Sequence, residues 1–184
     1  MTKVRRVASQ TSHRELGGCH DEEVDSPPAS SPPYLTGLRL AGRRVVVVGG
    51  GLVASRRTVR LLQAGADVRL VAPDVTPDLA RSAARGELTW LARPYRAGDL
   101  EGAWYVLAAT DDEQANRAVS AEAESLRIFC VRADRAEEAT AWTPATGEVD
   151  GVQVAVLAGR QPREAARVRD LLVDWLARLR RRAA

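Results

Sequence analysis

A chain of 184 residues with 27 basic and 24 acidic side chains, net charge +3, has room for one well-cored domain and a small appendage, not two full domains. No apolar run approaches the ~20 residues that span a bilayer, and no apolar stretch of signal-peptide length follows Lys3, Arg5 and Arg6, so a cytoplasmic protein with neither a membrane nor a nucleic-acid partner is expected. Cys19 and Cys130 stand too far apart for a disulfide framework or a metal-ligand spacing and are read as free thiols; no metal site is expected. Every basic residue except Lys3 is arginine, whose planar fork suits carboxylates and phosphates, although most such charges are simply solvated surface.

Residues 1–33 lack apolar periodicity and end in Ser26-Pro27-Pro28-Ala29-Ser30-Ser31-Pro32-Pro33, the composition of a disordered tail. His13 and His20 lie in it, so the folded part has no histidine for catalysis or metal binding. From Leu38 strands and helices alternate, which predicts a doubly wound parallel α/β sheet of the Rossmann type over residues 34–138. Val45-Val46-Val47-Val48 is β-branched throughout and reads as a strand buried on both faces. A glycine turn and a helix ending at Gly65 follow, then a strand over 67–72. Thr76-Pro77-Asp78 opens a second helix with a threonine cap and a proline in its first turn, and Gly86 closes it.

Residues 88–92 and 103–109 read as further strands, Thr110-Asp111-Asp112 opens a helix to about Leu126, and 127–132 completes five sheet strands. Residues 139–184 then form a separate segment. Stretches 139–143 and 152–157 flank Pro144, Gly147 and Gly151, which predicts a strand pair. The last helix spans 162–182, with Val168, Leu171, Leu172, Trp175, Leu176 and Leu179 at spacings of three and four. Such a stripe packs on its own core or on a partner subunit. The second is favoured, because no later segment remains to cover it.

The chemistry concentrates at Gly49-Gly50-Gly51-Leu52-Val53-Ala54, the G-x-G-x-x-A pattern between a strand and a helix. Its first glycine makes the tight turn, its second lets the backbone approach a pyrophosphate, and Ala54 allows close packing of helix on strand. The alternatives are a purely structural turn or another nucleotide. The acidic residue expected at the end of the second strand is absent there. Asp74 either binds the ribose slightly late in register or is a loop residue, and NAD is chosen over NADP. The backbone at Ala109 and Thr110 is expected to line the nicotinamide half, with Asp111 and Asp112 read first as helix caps. Asp134, just past the fifth strand, is either catalytic or merely exposed. Arg160, Arg163, Arg167 and Arg169 form either a polyanion site or a solvated helix face.

Taken together, Gly42-Arg43-Arg44-Val45-Val46-Val47-Val48-Gly49-Gly50-Gly51-Leu52-Val53-Ala54, Ala64-Gly65-Ala66, Val71-Ala72-Pro73, Ala108-Ala109-Thr110-Asp111-Asp112 and Arg127-Ile128-Phe129-Cys130 resemble the precorrin-2 dehydrogenase and sirohydrochlorin ferrochelatase family, the N-terminal module of siroheme synthase. The resemblance spans residues 34–170. It implies that Leu52, Val53, Pro73 and Asp74 contact NAD, that Asp134, four after Cys130, is the catalytic aspartate, and that a homodimer forms through the C-terminal segment. It also implies oxidation of precorrin-2 to sirohydrochlorin, with the substrate's eight carboxylates meeting Arg132, Arg160, Arg163 and Arg167. Val131, Ala141 and Leu157-Ala158-Gly159-Arg160 depart from the family pattern on the substrate side, which weakens the ferrochelatase expectation more than the NAD one. An NAD-binding sensor without catalysis, or a module detached from a fused siroheme synthase, are the alternative readings.

Overall fold

The computed structural model describes residues 32–159 and 161–183; nearly all of the expected 1–33 tail, and Arg160, lie outside the described residues. The described chain runs β1 (Arg44–Val48), α1 (Leu52–Gln63), β2 (Asp67–Val71), α2 (Pro77–Ala84), β3 (Thr89–Leu91), β4 (Tyr105–Ala108), α3 (Glu113–Ser125), β5 (Phe129–Arg132), a 3-10 turn (Ala136–Glu138), β6 (Ala145–Val149), β7 (Val152–Val156) and α4 (Pro162–Ala183). Strands β1 to β5 form one parallel sheet in the order β3-β2-β1-β4-β5. The chain winds outward from β1 through β2 to β3, then returns to the other side of β1, so the winding reverses between β1 and β4. A crevice therefore opens at the carboxyl ends of those two strands.

Central β1 explains why the sheet is buried on both sides. Val45 and Val47 enter one core with Ala54 of α1, Leu70 and Leu79, while Val46 and Val48 enter the other with Val106, Val119 and Ala123. All four valines are at most 1% exposed, and each such burial is worth about 2 kcal/mol relative to leaving the side chain in water. The expected doubly wound fold with five parallel strands is what forms.

The C-terminal strand pair forms too, but its first strand lies later than expected. Residues 140–142 only follow the edge of β5: the Ala141 N–H donates to the Cys130 carbonyl at 3.1 Å, and the Cys130 N–H donates to the Thr140 hydroxyl at 2.8 Å instead of to a carbonyl. A side chain standing in for a backbone acceptor ends the ladder after one bond. The hairpin is β6 with β7, joined by Asp150 and Gly151, whose φ angles of 47° and 78° are those of the two-residue turn that matches strand twist.

This hairpin is tied to α1 by Arg60, which donates to the Thr146 hydroxyl, and the segment leading into it by Arg57, which donates to the Thr143 hydroxyl at 2.7 Å. Helix α4 lies on the hairpin, with Arg169 donating to the Thr146 carbonyl at 2.8 Å. Its apolar stripe divides: Val168 and Leu176 are half-buried, whereas Leu171, Leu172, Trp175 and Leu179 are exposed, at 59%, 38%, 54% and 49%. No helix among the described residues is long and apolar enough to cross a membrane.

Gly147 leaves no room under α4, since a Cβ there would stand 2.5 Å from Val173 Cγ2 and 2.9 Å from Arg169 Cδ. Gly147→Val should therefore destabilise the protein by about 1–3 kcal/mol, the usual cost of overpacking, read as a lower midpoint in urea unfolding.

Candidate functional site at the carboxyl edge of the sheet

The first two glycines of the turn are wedged between loops. A Cβ on Gly49, which sits at φ +114°, would lie 2.2 Å from the Ala109 carbonyl oxygen and 2.9 Å from the Thr110 nitrogen; one on Gly50 would lie 2.0 Å from the Asp74 carbonyl oxygen. The Gly49 N–H donates to Val71 at 3.0 Å, and Gly50 accepts from the Thr76 N–H at 2.9 Å. Both glycines are thus required by the convergence of the β2–α2 and β4–α3 loops. Gly51 is different, because a Cβ there would meet nothing within 4 Å.

Gly51 is also the N-cap of α1, and it brings no side chain to the helix end. The first intrahelical bond runs from Ser55 N–H to the Gly51 carbonyl, no side chain caps the turn, and the turn holds no acidic residue. The N–H groups of Leu52, Val53 and Ala54 precede that bond and add to the positive end of the helix dipole, an arrangement that accepts phosphate. Leu52 is 76% exposed beside this opening, an apolar side chain left in water at the mouth of a cleft. Val53 flanks it, and Ala54 is fully buried against the sheet. Open space at Gly51 and uncapped amides fit the diphosphate of a dinucleotide.

Around this corner, Pro73 and Asp74 are exposed in the β2–α2 loop. Asp74 does not cap α2, because Thr76 does so by accepting from the Leu79 N–H at 3.5 Å. Ala109 continues β4 by donating to the Val48 carbonyl at 2.8 Å, so the backbone at Ala109 and Thr110 lies directly across from Gly49. Asp112 caps α3, accepting from Gln114 and Ala115 at 2.8 and 3.3 Å, as helix-capping logic requires.

Asp134 follows β5 at the same edge. Arg132 grips it with bonds of 2.6 and 3.2 Å and also binds the Glu138 carboxylate. The Arg132 side chain is 1% exposed, so its guanidinium is consumed by two internal carboxylates and presents no free cation to a substrate, contrary to the expectation for it. Burial alone would raise the Asp134 carboxyl. The hydrogen bonds from Arg132 and Asn116 outweigh it and hold the group down to about 2. Arg135 extends the network by pairing with Glu113 at 3.0 Å and Glu138 at 3.4 Å.

Sequence reasoning missed Asn116, which is fully buried in α3. A signal existed: asparagine inside an alanine-rich helix is a poor helix former and calls for a side-chain partner. Arg163 and Arg167 stand exposed on the first turns of α4, and Arg160 lies outside the described residues. A cleft of about 580 Å³ lined by Tyr95, Arg96, Glu101 and Glu122 sits at the opposite end of α3, where the Tyr95 hydroxyl donates to Glu122.

Residues 37–145 match the family model described as "Putative NAD(P)-binding". The chain belongs to this NAD(P)-binding family. A siroheme synthase of Chromobacterium violaceum is 43% identical over 122 residues, 66% of this chain and 26% of that protein. One of Pseudomonas putida (strain W619) is 40% identical over 139 residues, 75% of this chain and 30% of that protein. A solved structure of SirC, a precorrin-2 dehydrogenase, superposes with a TM-score of 0.67 at 28% identity, covering 77% of this chain and 70% of that one. The family resemblance read from the residues is borne out, and NAD is the cofactor that the NAD(P)-binding corner fits. This member spans about a quarter to a third of the length of these two siroheme synthases.

Two outcomes follow for a protein built this way. Gly51→Val, at φ −77° with open space around it, should leave thermal stability unchanged while weakening NAD⁺ binding roughly 100-fold by calorimetry. Because the Asp134 carboxyl is lowered in the fold, its stabilisation is present above the unfolded value and lost as pH falls through the folded one. Asp134→Asn should therefore cost about 2 kcal/mol at pH 7, and the gap from wild type should close between about pH 4 and pH 2 in denaturant melts.

Proposed function

We propose that this chain oxidises precorrin-2 to sirohydrochlorin with NAD⁺. The observation that carries the reading is one sheet edge holding both an uncapped glycine corner and a carboxylate fixed in its ionised form. Likeness to siroheme synthases and to a precorrin-2 dehydrogenase supports the substrate class.

Bound NAD⁺ supplies the hydride acceptor. Gly49 and Gly50 shape the corner, while Gly51, Leu52 and Val53 hold the diphosphate through backbone N–H groups. Pro73 and Asp74 border the adenosine ribose, and the Ala109 and Thr110 backbone lines the nicotinamide half. Asp134 enters each turnover ionised. Pairing with Arg132 makes it a weak base, suited to stabilising positive charge that develops on the macrocycle as hydride leaves and to taking the proton at its carboxylate once that charge has formed. Arg160, Arg163 and Arg167 pair with substrate carboxylates; Arg132 serves instead as the anchor of Asp134. The exposed Leu171, Trp175 and Leu179 face of α4 meets a second copy of the chain, giving a homodimer.

The deciding assay follows NADH appearance with precorrin-2 and NAD⁺. Asp134→Ala should lower turnover roughly 100-fold or more with NAD⁺ affinity unchanged. Wild-type protein that binds NAD⁺ and never turns over would instead assign an NAD-sensing module, and adding Fe²⁺ to sirohydrochlorin measures chelation separately. Trp175→Glu should halve the mass seen by sedimentation, and an unchanged mass rules out this dimer face.

A further inference from the structure

Building on that reading, we propose that Arg56, Arg57 and Arg60 of α1, with Arg169 of α4, form a carboxylate-binding subsite that takes acidic side chains of the substrate. Helix α1 has no acidic residue along Leu52–Gln63 and carries these three arginines. At separations of three and four, Arg60 neighbours both Arg57 and Arg56 on the helix surface. The other two helices of the sheet domain balance their charges: Arg81 pairs with Asp78 on α2, and Arg117 pairs with Glu113 at 2.6 Å on α3. Among the described residues, no carboxylate pairs with Arg56, Arg57 or Arg60.

These forks are held in place. Arg57 Nη1 donates to the Thr143 hydroxyl at 2.7 Å, Arg60 Nη1 donates to the Thr146 hydroxyl, and Arg169 Nη1 donates to the Thr146 carbonyl at 2.8 Å. Three guanidinium groups from two helices thus converge on one short stretch of chain. Each threonine hydroxyl is neutral and takes one of the five donors that a guanidinium offers, so it fixes the fork and leaves its charge unmatched. The unspent donors reach water, because Thr58 Oγ1 is the one buried side-chain polar atom without a partner among the described residues. Asp170 is the acid bonded to the cluster, and Arg169 Nε engages it at 2.7 Å. Burial lowers the half-buried Arg57 guanidinium from its ordinary value; the charges of Arg56 and Arg60 add to the lowering, and Tyr105 opposes it. Like charges held this close repel until an anion joins them, and planar forks suit carboxylates. Along the helix, Arg56 stands about 7 Å and Arg60 about 13 Å from Gly51 at the diphosphate corner, distances covered by a tetrapyrrole with acids around its rim.

The test titrates the full-length chain with uroporphyrin, a fully oxidised macrocycle with eight carboxylates, and reads binding by quenching of tryptophan fluorescence. Arg56→Glu with Arg60→Gln should weaken that binding about 10-fold or more, and raise KM for precorrin-2 by a similar factor with kcat within about threefold. Thr143→Val with Thr146→Val cuts the ties to the arginines without touching their charge, and should leave uroporphyrin affinity within about threefold of wild type. An equal loss in the threonine variant assigns the arginines to holding the chain in place and overturns the proposal. Should the double arginine variant not fold, Arg56→Glu alone decides, because Arg56 bonds to no other side chain among the described residues. Uroporphyrin affinity unmoved in the arginine variants that fold also overturns it, and a lowered sedimentation mass in those same variants would give the counter-charge to a second copy of the chain instead. Arginine-dependent uroporphyrin binding by a protein that never oxidises precorrin-2 defeats the dehydrogenase reading and leaves the subsite standing.

Discussion

Three backbone segments meet at Gly49 and Gly50, and the rest of the site depends on how closely they approach. Neither glycine can carry a side chain without striking a carbonyl oxygen, at Ala109 in one case and Asp74 in the other. That contact brings the β2–α2 and β4–α3 loops together over the end of β1, where the sheet reverses its winding. It also leaves the next residue, Gly51, facing open space with the uncapped first turn of α1 behind it. Crowding at two glycines and vacancy at the third make a rigid corner whose free donors point at one place.

The opposite half of the edge is governed by charge. Burying a guanidinium is costly unless its donors are met, and Arg132 meets them with Asp134 and Glu138. The arrangement fixes Asp134 as an anion, at the expense of its basicity. A carboxylate of this kind works best as a preorganised negative charge, which needs no reorganisation when positive charge appears nearby.

Much of this was legible in the residues. An unbroken valine run can be satisfied only by a strand covered on both faces, and a glycine corner followed by Ala54 needs a helix packed close to that strand, so the sheet, its winding and the dinucleotide edge followed. The place of Asp134 after β5 left it open between a catalytic and an exposed aspartate, and only the family resemblance favoured the first. What escaped depends on tertiary partners. Residues 139–143 have the composition of a strand, yet Thr140 gives its hydroxyl where a ladder needs a carbonyl, and the paired strand begins only at Ala145. Arg132 looked like a ligand because sequence shows a charge and not the two carboxylates that enclose it. The last helix read as a single stripe, whereas contact with the hairpin divides it into a covered side and an exposed one.

The claim beneath all of this is that uncapped backbone donors at the start of α1 hold the dinucleotide. Amide NMR during a titration with NAD⁺ tests it most directly. The account predicts the largest shifts at the N–H groups of Gly51, Leu52 and Val53, with smaller ones at Asp74 and Thr110. Saturable NAD⁺ binding that leaves those three amides unmoved would contradict it.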